Sequence, residues 1–217
     1  MTYRGKVRSG GPADVRELAD LTITKLSVGP MDNNAYLLRC QRTDEQLLID
    51  AAAEPDRLLG MVGHDGLARV VTTHRHQDHW QALAAVIDVT GAETVAGSDD
   101  ADEIPVPTTR RVQHGDAVMV GECRLEVIHL VGHTPGSIAL LYDDPAGPPH
   151  LFTGDSLFPG GVGKTWSEQD FTTLLDEVTT KVFDRLPDET WFYPGHGDDS
   201  DLGRERPHLG EWRARGW

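Results

Sequence analysis

Three imidazoles and one carboxylate stand within the six residues His74-Arg75-His76-Gln77-Asp78-His79. In extended backbone, residues two apart point to the same side, so His74 and His76 can grip one ion together. Asp78 and His79 fall where the chain turns toward a helix, and they can face a second ion. Histidine nitrogen and carboxylate oxygen suit zinc, iron or manganese. A solvated polar loop is the alternative, and this density of ligand types speaks against it. Three further places share one grammar: an apolar strand, then a glycine, then one residue able to hold a metal. Residues 125–131 precede Gly132-His133-Thr134-Pro135-Gly136, residues 151–153 precede Gly154-Asp155-Ser156, and residues 191–193 precede Pro194-Gly195-His196-Gly197. Glycine lets the backbone turn sharply and come close to a neighbour. Each place alone reads as a turn, whereas together four strand ends can deliver ligands to one edge of a sheet sandwich. Two close cations lower the pKa of a water between them and polarise a carbonyl. No serine or cysteine nucleophile is then needed, and Ser137 and Ser156 read as structural turn residues.

The elements that must position these residues follow from periodicity. Leu21–Val28 alternates as a half-buried strand does, Asp32-Asn33-Asn34 reads as a turn, and residues 34–40 pair with Gln46–Ile49 as a hairpin. Pro55–Val62 reads as a short helix, residues 68–72 as a buried strand, and the Ala-rich stretch 80–90 as a helix ending at Gly91. Ala117–Val120 and residues 124–130 flank Gly121-Glu122 as a second hairpin. Residues 137–142 and 150–153 are further strands, and 190–193 is the last. Residues 167–186 form the clearest helix, with Ser167 and Asp170 as a capping box and Phe171, Leu174, Leu175, Val178, Val182, Phe183 and Leu186 as its apolar stripe. This order predicts two sheets with helices outside.

At 217 residues the chain fits one domain, 1–217, with a sizeable core. A net charge of −15 argues against a nucleic-acid partner, which would want a basic surface. No apolar run is long enough to span a membrane, and Met1 to Pro12 lacks the apolar core of a secretory signal, reading instead as a tail or first strand. Cys40 and Cys123 are too few and too far apart for a disulfide framework and read as buried free thiols, so a cytoplasmic location is expected. Nothing in the sequence speaks to oligomeric state.

The sequence His-x-His-x-Asp-His, then Gly-His-Thr-Pro-Gly-Ser, Gly-Asp-Ser and Pro-Gly-His-Gly, resembles the pattern of the metallo-β-lactamase superfamily, more narrowly its glyoxalase II (hydroxyacylglutathione hydrolase) branch. The resemblance runs from Asp50 to His196. It implies an α/β fold, a four-layer αβ/βα sandwich with two divalent transition-metal ions at the sheet edge, zinc first and iron or manganese after it. Carried over by position, His74, His76 and His133 hold the first metal, Asp78, His79 and His196 the second, and Asp155 bridges both. Asp78 and Asp155 are the residues expected to act in catalysis. Asp50 matches an aspartate that braces the histidine loop. The implied function is a metal-dependent hydrolase of a thioester or related acyl ester, acting on a small-molecule acyl substrate.

Departures from the pattern bear on substrate. After His196 only residues 197–217 follow, where glyoxalase II enzymes continue into a helical segment that holds glutathione, so glutathione is expected to be a poor carrier. The stretch Gly161-Val162-Gly163-Lys164-Thr165-Trp166 lies where that branch has a loop touching the thiol cofactor. Lys164 is a candidate for a substrate carboxylate and Trp166 for a pocket wall; a solvated lysine is the alternative. Trp80 reads equally as core or pocket, and Arg213 and Arg215 as surface. Two rival readings share the scaffold: a mononuclear iron persulfide dioxygenase, distinguished by its metal, and a lactonase, distinguished by pocket residues. A true β-lactamase lacks the aspartate at the place of Asp155. Flavo-diiron proteins need a carboxylate where His76 stands.

Overall fold

The alternation in Leu21–Val28 sends Leu21, Ile23 and Lys25 to one face, while Leu26 and Val28 pack on the other. That two-sided burial recurs along most strands, because each sheet is covered on both faces. The computed structural model describes residues 3–216; Met1, Thr2 and Trp217 lie outside it. Seven strands form the first sheet in chain order: β1 (Asp14–Glu17), β2 (Leu21–Val28), β3 (Asn33–Cys40), β4 (Gln46–Ile49), β5 (Arg69–Thr72), β6 (Glu93–Gly97) and β7 (Arg110–Val112). Pairing is antiparallel from β1 to β4 and parallel from β4 to β7. Helices α1 (Pro55–Val62) and α2 (Leu83–Thr90) cover its outer face through Leu58, Val62, Leu83 and Val86.

The second sheet uses β8 (Ala117–Val120), β9 (Cys123–His129), β10 (Ile138–Tyr142) and β11 (His150–Gly154). Beyond the small ribbon of β12 (Leu157–Phe158) and β13 (Gly161–Val162), β14 (Trp191–Pro194) and β15 (Ser200–Asp201) complete it, in the order β15-β14-β11-β10-β9-β8. Its outer face buries Leu174, Leu175 and Val178 of α3 (Glu168–Val178), then Leu202 of α4 (Leu202–Glu205) and Trp212 of α5 (Leu209–Arg215). Between the sheets lies the central core, where Leu38, Leu47 and Val71 meet Leu125, Leu140 and Phe152. Helix, sheet, sheet, helix is the four-layer sandwich expected.

Several expectations change at their edges. Asn33 and Asn34 are not a turn: they pair with Val28 and Ser27 as the start of β3, and only Asp32 turns, at φ 53°. The helix expected over 80–90 starts at Leu83, because a single 3₁₀ turn, Gln77–His79, comes first. Helix 167–186 is α-helical only to Val178, then widens into a π turn over Thr179–Phe183, closed by Asp184 N–H donating to Thr179 O. Ser167 caps it, accepting from Asp170 N–H at 3.1 Å. The first strand is Asp14–Glu17, so residues 3–12 contribute none. Strands β6 and β7 were not foreseen, being short parallel strands without period-2 alternation. Among the described residues no helix is long and apolar enough to cross a membrane.

Candidate metal centre

Each ligand loop leaves a strand end at the same edge of the sandwich. The loop 73–79 follows β5, His133 follows β9, Asp155 follows β11 and His196 follows β14. Two sheets therefore contribute, and all seven side chains converge. His74 Nε2, His76 Nδ1 and His133 Nε2 form a triangle with sides of 3.1, 2.9 and 3.3 Å. Ligands about 2.0–2.1 Å from a tetrahedral ion stand about 3.3 Å apart, so this triangle fits one face of such a site. On the other side, Asp78 Oδ2 lies 3.5 Å from His79 Nε2 and 3.3 Å from His196 Nε2. Asp155 sits between the groups: Oδ2 is 3.7 Å from His133 Nε2 and 3.5 Å from His196 Nε2, and Oδ1 is 3.4 Å from His79 Nε2.

The outer nitrogens show which way the lone pairs point. His133 Nδ1 meets Lys164 O at 2.6 Å, His196 Nδ1 meets Met31 O at 3.0 Å, and His79 Nδ1 meets Asp50 Oδ2 at 2.8 Å. Carbonyl and carboxylate oxygens only accept, so in each case Nδ1 donates its proton. The Nε2 lone pair is then left facing the cluster, the orientation metal-binding imidazoles are given by outer partners. His79 Nε2 and Asp155 Oδ1 are buried without a hydrogen-bond partner among the described residues. Buried polar atoms are seldom left so, and the donor set is that of zinc, iron or manganese. The residues present fit divalent cations.

Charge points the same way. Burial lowers the pKa of His74, His76 and His133, keeping them neutral and able to donate a lone pair. The hydrogen bond from His196 holds Asp78 well below the usual carboxylate range. Burial opposes the charge on Asp155, and His79 and His196 overcome it, holding its carboxyl low. Burial likewise works against His196, but Asp155 and Asp78 draw a proton onto it and raise it to about 10. Three carboxylates, Asp50, Asp78 and Asp155, thus crowd two imidazoles, and cations held there would take the place of those protons.

Asp50 lies where a brace would be. It adopts φ 59°, accepts from Thr73 N–H and Thr73 Oγ1 at 2.8 Å each, and holds His79. Left-handed backbone at a non-glycine residue is strained and persists where surroundings demand it. The structure adds Asp100, which sequence reasoning missed. Fully buried, it accepts from Arg75 N–H, Thr134 Oγ1 and Gly136 N–H, tying the loop of His74 to that of His133. It lies three residues past Gly97, the end of β6, so the strand-glycine-ligand pattern of the other loops does not mark it. Asn33, read as a turn residue, donates to Asp78 Oδ2 at 2.9 Å.

Lys164 and Trp166 stand at the rim. Trp166 is 61% exposed, with its ring 6.2 Å from that of His76, and Lys164 Nζ lies 4.5 Å over the Trp166 ring. Phe158 flanks His196 at 6.4 Å. Trp80 belongs to the helix-side core, its Nε1 donating to Arg75 O. Arg213 is exposed and pairs with Asp176, while Arg215 reaches Gly160 O. Ser137 bonds Thr134 in the ligand loop, and Ser156 is buried, away from a nucleophile's exposure.

This chain belongs to the Metallo-beta-lactamase superfamily, whose family description matches residues 28–196. Within it the chain is similar to the hydroxyacylglutathione hydrolase-like protein of Mus musculus, at 34% identity over 178 residues, covering 79% of this chain and 61% of that one. It spans about three fifths of the length of the hydroxyacylglutathione hydrolases it matches. Among solved structures it is similar to ETHE1 from Myxococcus xanthus, with 31% identity and a TM-score of 0.76, covering 88% of this chain and 84% of that one. TTHA1623 in a di-iron-bound form is 30% identical with a TM-score of 0.69, covering 84% of this chain and 96% of that one.

Proposed function

We propose that this protein is a metal-dependent hydrolase that opens a thioester or related acyl ester at a two-metal centre. The observation that carries the reading is the convergence of seven ligand side chains from two sheets, with three imidazoles locked so that Nε2 faces inward. Similarity to hydroxyacylglutathione hydrolases supports the thioester class. In this reading His74, His76 and His133 hold one ion, Asp78, His79 and His196 the other, and Asp155 lies between them. Bound there, two cations would supply a hydroxide near neutral pH and would polarise the scissile carbonyl. The protein's own part is orientation. Asp50 and Asp100 fix the loop geometry, and the Lys164 and Met31 carbonyls fix ring angles. Trp166 and Phe158 wall the approach, and the Lys164 ammonium receives a carboxylate on the substrate. Zinc is the first candidate metal; similarity to a protein solved in a di-iron-bound form keeps iron in view. Similarity to ETHE1 from Myxococcus xanthus supports a second reading, a mononuclear iron persulfide dioxygenase, and a lactonase would share the whole ligand set.

One experiment separates these. Natively purified protein is assayed for metal, then offered thioesters, lactones and a persulfide. Turnover of thioesters by a form holding two ions per chain is the expected result. Oxygen uptake on the persulfide, without thioester turnover, would replace the hydrolase reading with the dioxygenase one.

A further inference from the structure

Cys40 and Cys123 lie far from the metal centre and take no part in the proposed hydrolysis. Cys40 is the last residue of β3 and Cys123 the first of β9, so they belong to different sheets. Both point into the layer between the sheets, at 0% and 5% exposure, and both are free thiols. The β8–β9 turn brings them together. A Cβ built on Gly121 would stand 2.7 Å from Cys40 Cβ and 2.8 Å from its Sγ, so only glycine lets this turn settle on Cys40. Cys123 stands two residues past Gly121, and Gln41, next to Cys40, donates its backbone N–H to Asp20 O at 2.9 Å. Cys123 Sγ also donates to Asp20 O at 3.3 Å. On its other side Cys123 lines an open cleft of about 810 Å³, together with Arg42, Glu122, Arg124 and Tyr142.

We propose that Cys40 and Cys123 form a dithiol site that a small hydroperoxide entering from this cleft oxidises to an intersheet disulfide, reversibly by thiols. The two sulfurs are suited to unequal roles. Burial pushes the Cys40 thiol up, but hydrogen bonds from Thr43 and from the backbone of Glu122, Arg42 and Thr43 outweigh it and bring it to about 7. Burial and the neighbouring Cys40 sulfur push Cys123 up to about 12. Cys40, fully buried, is then the thiolate nucleophile that the peroxide reaches past Cys123, which lines the cleft and is the resolving thiol. The Cys40 thiolate attacks one peroxide oxygen, the O–O bond breaks, and a sulfenic acid and hydroxide form. The Cys123 sulfur displaces the sulfenic hydroxyl, and the S–S bond and water result. Two thiols lose two electrons, and hydrogen peroxide gains them to become two waters.

The purified full chain is titrated with hydrogen peroxide, denatured, alkylated and mapped by mass spectrometry. The expected product has lost two hydrogens, yields one cross-linked peptide pair holding both cysteines, and reverts with dithiothreitol. Its melting temperature rises by roughly 10 °C, because the cross-link closes a long loop in the unfolded chain. Both thiols remaining alkylatable, or Cys40 passing to sulfinic acid with Cys123 untouched, would overturn the proposal. Two variants test the assignment of roles. Cys123→Ala should leave Cys40 as a sulfenic acid that dimedone traps, and Cys40→Ala should leave Cys123 unmodified. The opposite pattern would show the assignment of nucleophile to be wrong.

Discussion

At the scale of single residues, Asp155 and Lys164 divide the labour. Asp155 reaches toward both ligand groups, with oxygens 3.4–3.7 Å from three imidazole nitrogens. Lys164 meets the centre only through its backbone carbonyl, and its side chain stands over Trp166 at the rim. Asp155→Ala should therefore cut kcat by about 10²-fold or more through loss of metal organisation, whereas Lys164→Ala should raise KM about tenfold with kcat little changed. Steady-state kinetics with metal content measured in parallel checks this. Equal kcat losses from both changes would show that the division is wrong. The seven side chains that converge were legible because metal chemistry restricts residue type, and a glycine marks three of the four strand ends. Asp100 was not legible, because a buried carboxylate satisfied by two backbone N–H groups and Thr134 has the same local sequence as a surface turn. Asn33 was misread for a related reason: asparagine favours turns, and here β-pairing with Val28 overrides that preference.

Among the elements, long amphipathic stretches were readable, and so was the short parallel strand β5, whereas β6 and β7 were not. Pro55–Val62 was found with its bounds, since proline opens it and Gly63 closes it. Strands β6 and β7 escaped because five mostly buried residues and three at the sheet edge give no period to count. What β14 does at its end carries a prediction. Gly195 N–H donates to Gly154 O at 2.8 Å, drawing two ligand-bearing loops together beside Asp155. A Cβ at Gly195 would fall inside contact distance of Asp155 Oδ1 and 2.7 Å from His79 Cε1. Gly195 has no positive φ, so alanine there is not strained by its backbone, and the clash falls on the ligands themselves. Gly195→Ala should thus fold, with metal-free melting within a few degrees of the parent, yet bind metal about 10–100-fold more weakly. Calorimetric titration of both proteins with zinc decides it, and an unchanged affinity would mean that the glycine is not needed for close approach.

Across the whole molecule, stability joins two kinds of buried polar chemistry, one independent of metal and one bound to it. His150 opens β11 at the edge opposite the metal centre, 2% exposed, with Nδ1 2.8 Å from Tyr193 Oη. Arg16 donates to that same hydroxyl at 2.9 Å, and the ring of Tyr142 stacks near the imidazole. Burial, aided by the Arg16 charge, lowers His150 to about 4. A lowered histidine favours the neutral form in the fold, so its contribution is whole above pH 6.5 and is lost as pH falls toward 4. That loss is about 2–3 kcal/mol. In metal-free protein, the difference between the parent and His150→Phe in chemical denaturation at pH 7 and at pH 4.5 should change by about that amount; a constant difference would remove His150 as the cause. The metal centre is the second kind. Four of its ligands come from the loop after β5 in the first sheet, and His133, Asp155 and His196 from the second. Cations held there would join the two halves of the sandwich and offset the crowding of Asp50, Asp78 and Asp155. The unfolded chain offers no such arrangement, so binding adds RT ln(1 + [L]/Kd) to stability, about 4 kcal/mol at a thousandfold excess over Kd. For a chain of this size that is a shift of roughly 8–15 °C. Chelation should lower the melting temperature by that amount and restored zinc should raise it again, while Gly195→Ala should show a smaller shift at the same zinc concentration. An unchanged melting curve after metal removal, proven by elemental analysis, would mean that the seven side chains meet for some other reason than holding cations.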